Sequence, residues 1–226
     1  MKMNVVTLLE NVKPGMMDLY VEGTKGWIAE IKKMKPEITF SAFDDNYGSV
    51  EYLATVRSFT EIESIINCWK EADEKIHGTE WGEKRGTTIN WSKIEVWWQI
   101  SELTYIAKES DPSSSDMPYF IWENIRVNSK NEKRFMECAA KIREHYQKYG
   151  IKRSYGFFRN IIGVQGPYFG IVYPGKDPSE IFQWHRTLPR KFNAELKERL
   201  DALYLLADEV TEGSGWALPE LSLPKN

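Results

Sequence analysis

Cysteine and histidine are scarce, with two of the first and three of the second in 226 residues. Cys68 and Cys138 cannot build a disulfide framework. The sequence holds no Cys-x-x-Cys and no histidine pair at the four-residue spacing of a helical metal site, so no metal centre is expected. Charge of one sign is lacking as well: 30 Lys+Arg stand against 33 Asp+Glu, net −3. That balance gives no electrostatic footprint for a nucleic-acid backbone or an anionic membrane surface. No run approaches the roughly 18–20 apolar residues of a membrane span. The stretch Met1 to Glu10 is too short in apolar residues for a secretory leader, and Glu10 closes it. A reduced, cytoplasmic protein is the expectation. Aromatic residues, by contrast, are plentiful, at 13% of the chain. Such rings fill plain cores and line apolar ligand cavities alike.

The chain repeats itself. Leu9-Glu10-Asn11-Val12-Lys13 returns as Trp122-Glu123-Asn124-Ile125-Arg126: apolar, Glu, Asn, β-branched, basic. Thr39-Phe40-Ser41-Ala42-Phe43 is answered by Ser154-Tyr155-Gly156-Phe157-Phe158, and Trp98 to Thr104 by Trp216 to Ser222. Three matches in one order point to a doubled unit. The halves are 1–110 and 117–226, joined by the Pro/Ser-rich linker 111–116.

Periodicity gives each half the same order. In the first, Val5 to Lys13 reads as a strand, and Tyr20, Trp27, Ile31 and Met34 mark a helix over about 16–35. Glu37 to Asp44 and Val50 to Arg57 alternate as strands around the turn Asp45-Asn46-Tyr47-Gly48. Thr60-Glu61-Ile62-Glu63 reads as a capping box before a stripe of Ile62, Ile65, Trp69 and Ala72. An insertion at about 77–94 follows, expected as a surface loop or flap, and then a strand over Glu95 to Lys108. In the second half Tyr119 to Val127 is strand, and a helix carries Phe135, Ala139, Ile142 and Tyr146 to Gly150. Ile151 to Arg159 and Tyr168 to Tyr173 are strands. Asp177-Pro178 opens a helix, Pro189 breaks the region, and a further helix is expected to run through Val210 to Gly213. Gly215 to Ser222 is the last expected strand.

Each half thus reads βαββαβ, an α+β pattern with both helices on one face of a four-stranded sheet. The other face needs cover, which a second copy supplies. On this repeated topology the chain resembles the dimeric α+β barrel superfamily of ferredoxin-like folds, in a tandem single-chain form. The resemblance implies two repeats packed sheet to sheet as a barrel-like pseudo-dimer, with ligands between sheet and helices or inside the barrel. It implies no single activity. Members include cofactor-free monooxygenases, isomerases, haem-using enzymes and proteins without known chemistry.

The repeated carboxylates are the sharpest candidate chemistry. Glu10 and Glu123 fall in first strands, Glu102 and Glu220 in last strands. First and last strands are neighbours in a ferredoxin-like sheet, so Glu10 is expected near Glu102 and Glu123 near Glu220. Two close carboxylates raise one pKa and make a general acid or base. The plain alternative pairs them with Lys13, Arg57, Arg126 or Arg159, or leaves them in water. His185, in Phe182-Gln183-Trp184-His185-Arg186, is the remaining candidate base or haem ligand, against a partly buried structural histidine. His145 reads as a boundary residue of its helix. By strand position Tyr52, Tyr168 and Arg159 are candidate ligand contacts, with Trp98 on a cavity wall or, as the plain alternative, in a core seam. The function expected is a small-molecule enzyme of cofactor-free monooxygenase or isomerase type acting on an apolar or aromatic substrate. The alternatives are a non-catalytic binding protein of this fold and a haem-dependent enzyme. The sequence leaves the cofactor unknown, and either a monomer or a homodimer is expected.

Overall fold

The computed structural model describes residues 4–35, 37–45, 48–107, 118–188 and 190–224, with the side chains of 182 and 184–187 left out. Two compact units emerge. One runs from the first strand through Trp97 and takes in Gly215 onward; the other is Trp98–Ser214.

In the first unit, strand β1 (Asn4–Val12) is followed by helix α1 (Met17–Met34), strands β2 (Ser41–Asp44) and β3 (Ser49–Val56), helices α2 (Phe59–Ile76) and α3 (Glu80–Thr88), and strand β4 (Ile89–Gln99). The sheet order is β2-β3-β1-β4. Alternation sorts β1 and β3 into two faces. Leu8 lies opposite Tyr52 and Glu10 opposite Val50, so these four share the face that also carries Val6, Ala54 and Val56. That face is sealed: Val6, Val50, Tyr52, Ala54 and Val56 are fully buried, as are Tyr20 and Trp27 of α1. Trp27 meets Tyr52 edge-on at 5.3 Å and touches Phe40 and Trp69. Its indole N–H donates to the Trp69 carbonyl at 3.2 Å.

The second unit repeats the element order with β5 (Tyr119–Val127), α4 (Glu132–Tyr149), β6 (Gly156–Ile162), β7 (Tyr168–Gly175), α5 (Pro178–Thr187), α6 (Arg190–Tyr204) and β8 (Ala207–Trp216). Its sheet order is β6-β7-β5-β8. Ile125, Val127, Phe157, Phe169 and Ile171 on the strands pack with Phe135, Ala139, Ile142 and Tyr146 of α4 and Phe192, Leu196 and Leu203 of α6. Gly150 ends α4 in the left-handed region, φ 57°, as its position predicts.

Several boundaries differ from the sequence reading. The 77–94 stretch is not a loop or flap. Thr79 caps α3 by accepting the Gly82 N–H, and Glu80 and Glu83 occupy its first turn, so the helix has its own start signal. The order is therefore βαββααβ, with α3 matched by α6. Helix α2 starts two residues before the expected box: Ser58 accepts from the Glu61 N–H, and Glu61 accepts from the Arg57 N–H. β4 stops at Gln99 and a turn follows, so the strand expected to reach Lys108 is cut short. Beyond it Tyr105, itself part of the second unit, bridges to Tyr155 of that same unit. Helix α6 ends at Tyr204, and Val210 and Gly213 belong to β8. A Cβ on Gly213 would stand 2.4 Å from the Trp122 ring, so this glycine serves close packing rather than a helix stop. The linker 111–116, Pro189 and the turn residues 46 and 47 lie outside the described residues.

α3 lies unusually close to α1. A Cβ on Gly23 would sit 2.5 Å from the Arg85 backbone nitrogen, and one on Gly26 would enter the Trp81 ring. Glycine at both positions lets α3 descend far enough for Arg85 to reach the sheet.

Candidate functional site

Glu10 is an acidic residue on a sealed apolar face, only 2% exposed. Burial alone would hold it neutral. α3 brings the Arg85 guanidinium beneath it, Nη2 at 2.5 Å from Oε1, while Nη1 reaches Asp73 of α2 at 2.9 Å. Trp27 closes the guanidinium's face at 4.7 Å. The other carboxyl oxygen, Oε2, accepts the Tyr20 hydroxyl at 2.6 Å, and the Tyr20 and Tyr52 hydroxyls are 2.6 Å apart. Burial pushes the Glu10 carboxyl up and Arg85 and Tyr20 pull it down, leaving it raised. Burial disfavours the charge on Arg85, yet Glu10 and Asp73 outweigh it and keep the guanidinium protonated.

Glu123 holds the same place in the second unit. It lies opposite Ile171, and Ile121, two residues earlier, lies opposite Tyr173, as Leu8 lies opposite Tyr52. Its Oε2 accepts the Tyr204 hydroxyl from α6 at 2.6 Å. Glu123, Tyr173 and Tyr204 are all half-buried, unlike their sealed counterparts. Burial raises the Glu123 carboxyl, Tyr204 counters it, and exposed Glu212 of β8 adds to the rise. Burial and then Glu123 hold the Tyr173 phenol well above its ordinary value, so it stays a neutral donor. Among the described residues no cation bonds to Glu123.

The other expected residues are dispersed. Glu102 lies in the exposed turn after β4, and Glu220 in an exposed 3-10 turn, Pro219–Leu221. Neither is on a strand, so the paired carboxylates expected from adjacent strands do not form; tyrosine and arginine take the partner positions. Tyr168 lies opposite Arg126 on the face away from Glu123, under the Arg126 guanidinium at 5.7 Å. Arg159 pairs with Glu132 at the start of α4, at 2.7 Å. Trp98 is 40% exposed near the end of β4. Tyr52 alone joins the Glu10 network.

His185 sits on α5, and its side chain lies outside the described residues. The described histidines do not fit a haem iron. His145, expected at the edge of its helix's apolar stripe, is buried at 1%, stacked on Phe192 at 4.6 Å with Nε2 at 3.1 Å from the Phe192 carbonyl. His77 is exposed at the end of α2. Two shallow surface depressions, one edged by Lys33, Lys75 and Trp81 and one by Cys138 and Arg199, touch neither Glu10 nor Glu123.

On the opposite face of the first sheet stands a carboxyl the repeat did not flag. Glu51 of β3 faces Thr7 and Glu95, and its carboxyl is pushed up to about 7 by burial, then by Glu95 and Asp45. Glu95 is held by Lys93 and by the Trp97 indole N–H at 3.0 Å. A carboxyl raised on folding contributes stability that is whole below the ordinary range, near 4.5, and lost as pH climbs through about 7. Glu51→Gln is therefore expected to raise the melting temperature at pH 8 and leave it nearly unchanged at pH 4.5. Equal shifts at both pH values in thermal melts would count against this.

No family model matches the chain, and no curated protein is similar to it in sequence. Solved structures are similar to it in fold. An anthrone oxidase-like protein superposes with a TM-score of 0.60 at 10% identity, covering 96% of this chain and 91% of its own. A "putative monooxygenase" from Fusobacterium nucleatum gives 0.58 at 14%, covering 96% and 92%. A chlorite dismutase variant from Candidatus Nitrospira defluvii gives 0.55 at 13%, again covering 96% and 92%. The fold is that of the dimeric α+β barrels. The α+β class read from the sequence thus holds, and no helix among the described residues is long and apolar enough to cross a membrane.

Proposed function

We propose that the chain is an oxidative small-molecule enzyme, of cofactor-free monooxygenase or isomerase type, that acts on an apolar or aromatic substrate with Glu123 as the proton acceptor. The observation that carries this reading is the contrast between twins. Glu10 is sealed and ion-paired, whereas Glu123 is half-buried and held at one oxygen by Tyr204, with burial raising its carboxyl. The free oxygen of Glu123 takes a proton from an acidic C–H or O–H of the substrate. The resulting anion reacts with dioxygen, a methylene becoming a carbonyl as the second oxygen atom leaves as water. In an isomerase the proton returns to another carbon. Neutral Tyr173 donates to the oxygen that carries the developing charge, while Tyr204 keeps its hydrogen bond to Oε2 of Glu123.

The reading takes the two βαββααβ runs, within 1–110 and 117–226, as copies of one unit. It places a cytoplasmic monomer or homodimer in contact with a small-molecule ligand. Names of the similar structures support oxidation; Glu10, Glu102, Glu220, Tyr52, Tyr168, Arg159 and Trp98 have no part in this chemistry.

Oxygen uptake with anthrone and with dopamine tests it. The wild type is expected to exceed the spontaneous rate on at least one, and Glu123→Gln to lower kcat at least about 100-fold with unchanged circular dichroism. Because the base must be ionised and its carboxyl is raised, the acid limb of kcat/KM should lie above the ordinary carboxylate range. Wild-type uptake on neither compound overturns the oxidative reading and leaves an isomerase or a binding protein, and full activity in Glu123→Gln removes Glu123 from the chemistry.

A further inference from the structure

The buried network at Glu10 can do chemistry that its ion pairs do not use. The Tyr20 hydroxyl donates to Oε2 of Glu10 at 2.6 Å, the short bond of a neutral donor on a charged acceptor. With its one proton engaged there, Tyr20 accepts from Tyr52, whose oxygen is 2.6 Å away. Both rings are fully buried. A second feature is the charge around them. Glu10 and Asp73 set two carboxylates against the one guanidinium of Arg85. Loss of one electron therefore leaves the site neutral, and no net charge is created in the sealed interior, where it would be costly. A third feature is a run of oxidisable rings. Trp27 lies 5.3 Å from Tyr52 and 6.4 Å from Trp69. Gly26, the residue before Trp27, packs against the ring of Trp81, which is exposed.

We infer that Tyr20 is a redox-active tyrosine: a one-electron oxidant at the surface, such as an organic peroxyl radical, withdraws an electron through these rings, and Tyr20 becomes a neutral phenoxyl radical as its proton moves to Oε2 of Glu10. The O–H bond of Tyr20 breaks and an O–H bond forms on Glu10, while the oxidant gains the electron that Tyr20 loses. At 2.6 Å the proton passes directly, without a water. Tyr52 stays in place as a donor to the oxyl. Return of one electron brings the proton back from Glu10. Tyr204 makes the same bond to Glu123, but it is only half-buried, so a radical there is open to quenching from solution. Sealing is what gives the Tyr20 radical its persistence. The inference is independent of the reading at Glu123.

Flash photolysis of the full chain with tris(bipyridine)ruthenium and persulfate tests it, read by phenoxyl absorption and electron paramagnetic resonance. The wild type is expected to show a tyrosyl signal that outlasts those of its exposed tyrosines. Tyr20→Phe, which removes one hydroxyl and keeps the ring, should lose that long-lived component. Glu10→Gln combined with Arg85→Met keeps Tyr20 but offers it no proton acceptor, and it too should lose the component with unchanged circular dichroism. Tyr204→Phe should retain it. A wild type without a long-lived tyrosyl signal overturns the inference. So does a signal that persists in Tyr20→Phe or in the double variant, or one lost in Tyr204→Phe instead. Oxygen uptake plays no part in this measurement, so its outcome and the fate of the Glu123 reading are separate.

Discussion

Arg85→Ala is expected to lower folding stability by about 3–5 kcal/mol, because it leaves the Glu10 carboxyl buried without its cation. Urea unfolding read by tryptophan fluorescence measures it. Arg85 is 5% exposed and makes both ion pairs itself, so the protein has no nearby substitute. The deficit depends on pH. Without Arg85, burial holds the Glu10 proton even more firmly, and a carboxyl raised on folding costs more as pH rises. The loss should therefore be larger at pH 8 than at pH 5. Combining Arg85→Met with Glu10→Gln removes both charges and keeps a long apolar stem against Trp27. This double variant should recover most of the loss, since a buried pair replaced as a whole is often close to neutral. A loss below about 1 kcal/mol for Arg85→Ala would mean that water, not protein, solvates Glu10.

Trp27→Ala should be of similar size, about 3–5 kcal/mol, for a different reason. The indole is fully buried and touches Phe40, Tyr52, Trp69 and Arg85 at once. Its removal leaves a cavity between sheet and helices, deprives the Trp69 carbonyl of its donor, and withdraws the ring from the guanidinium. Trp27→Phe keeps part of the packing and should cost clearly less. The denaturation midpoint is the measurement, and equal losses for alanine and phenylalanine would show that the hydrogen bond, not the volume, dominates.

The sequence revealed the class of fold because that depends on repeated local patterns: alternation in β1 and β3, the stripe Ile62, Ile65 and Trp69, the αL glycine at 150. It hid α3 because Glu80–Thr88 has little apolar periodicity, and only the Thr79 cap and two early glutamates announce it. With α3 hidden, Arg85 could not be linked to Glu10, a separation of 75 residues. The match of Tyr52 to Tyr173 was hidden too. It appears only when each tyrosine is counted from its strand partner, two residues before the glutamate, which needs the register. Carboxylates at repeated positions therefore looked like each other's partners. Tyr20 and Tyr204 had read, if at all, as apolar stripe, although their hydroxyls reach the glutamates.

The tail past β8 has a consequence for how the molecule is made. Residues 218 and 223 pair with Ala42 and Phe40, Leu221 is fully buried, and Ser222 closes a contact spanning 180 positions of sequence. A ribosome that has just released β4 has delivered everything the first unit needs except the piece lying along β2. Until residues 218–223 emerge, Phe40 and Ala42 lack the partners they have in the folded unit. The first unit is thus completed only after the second has been made, by long-range closure of the slow kind.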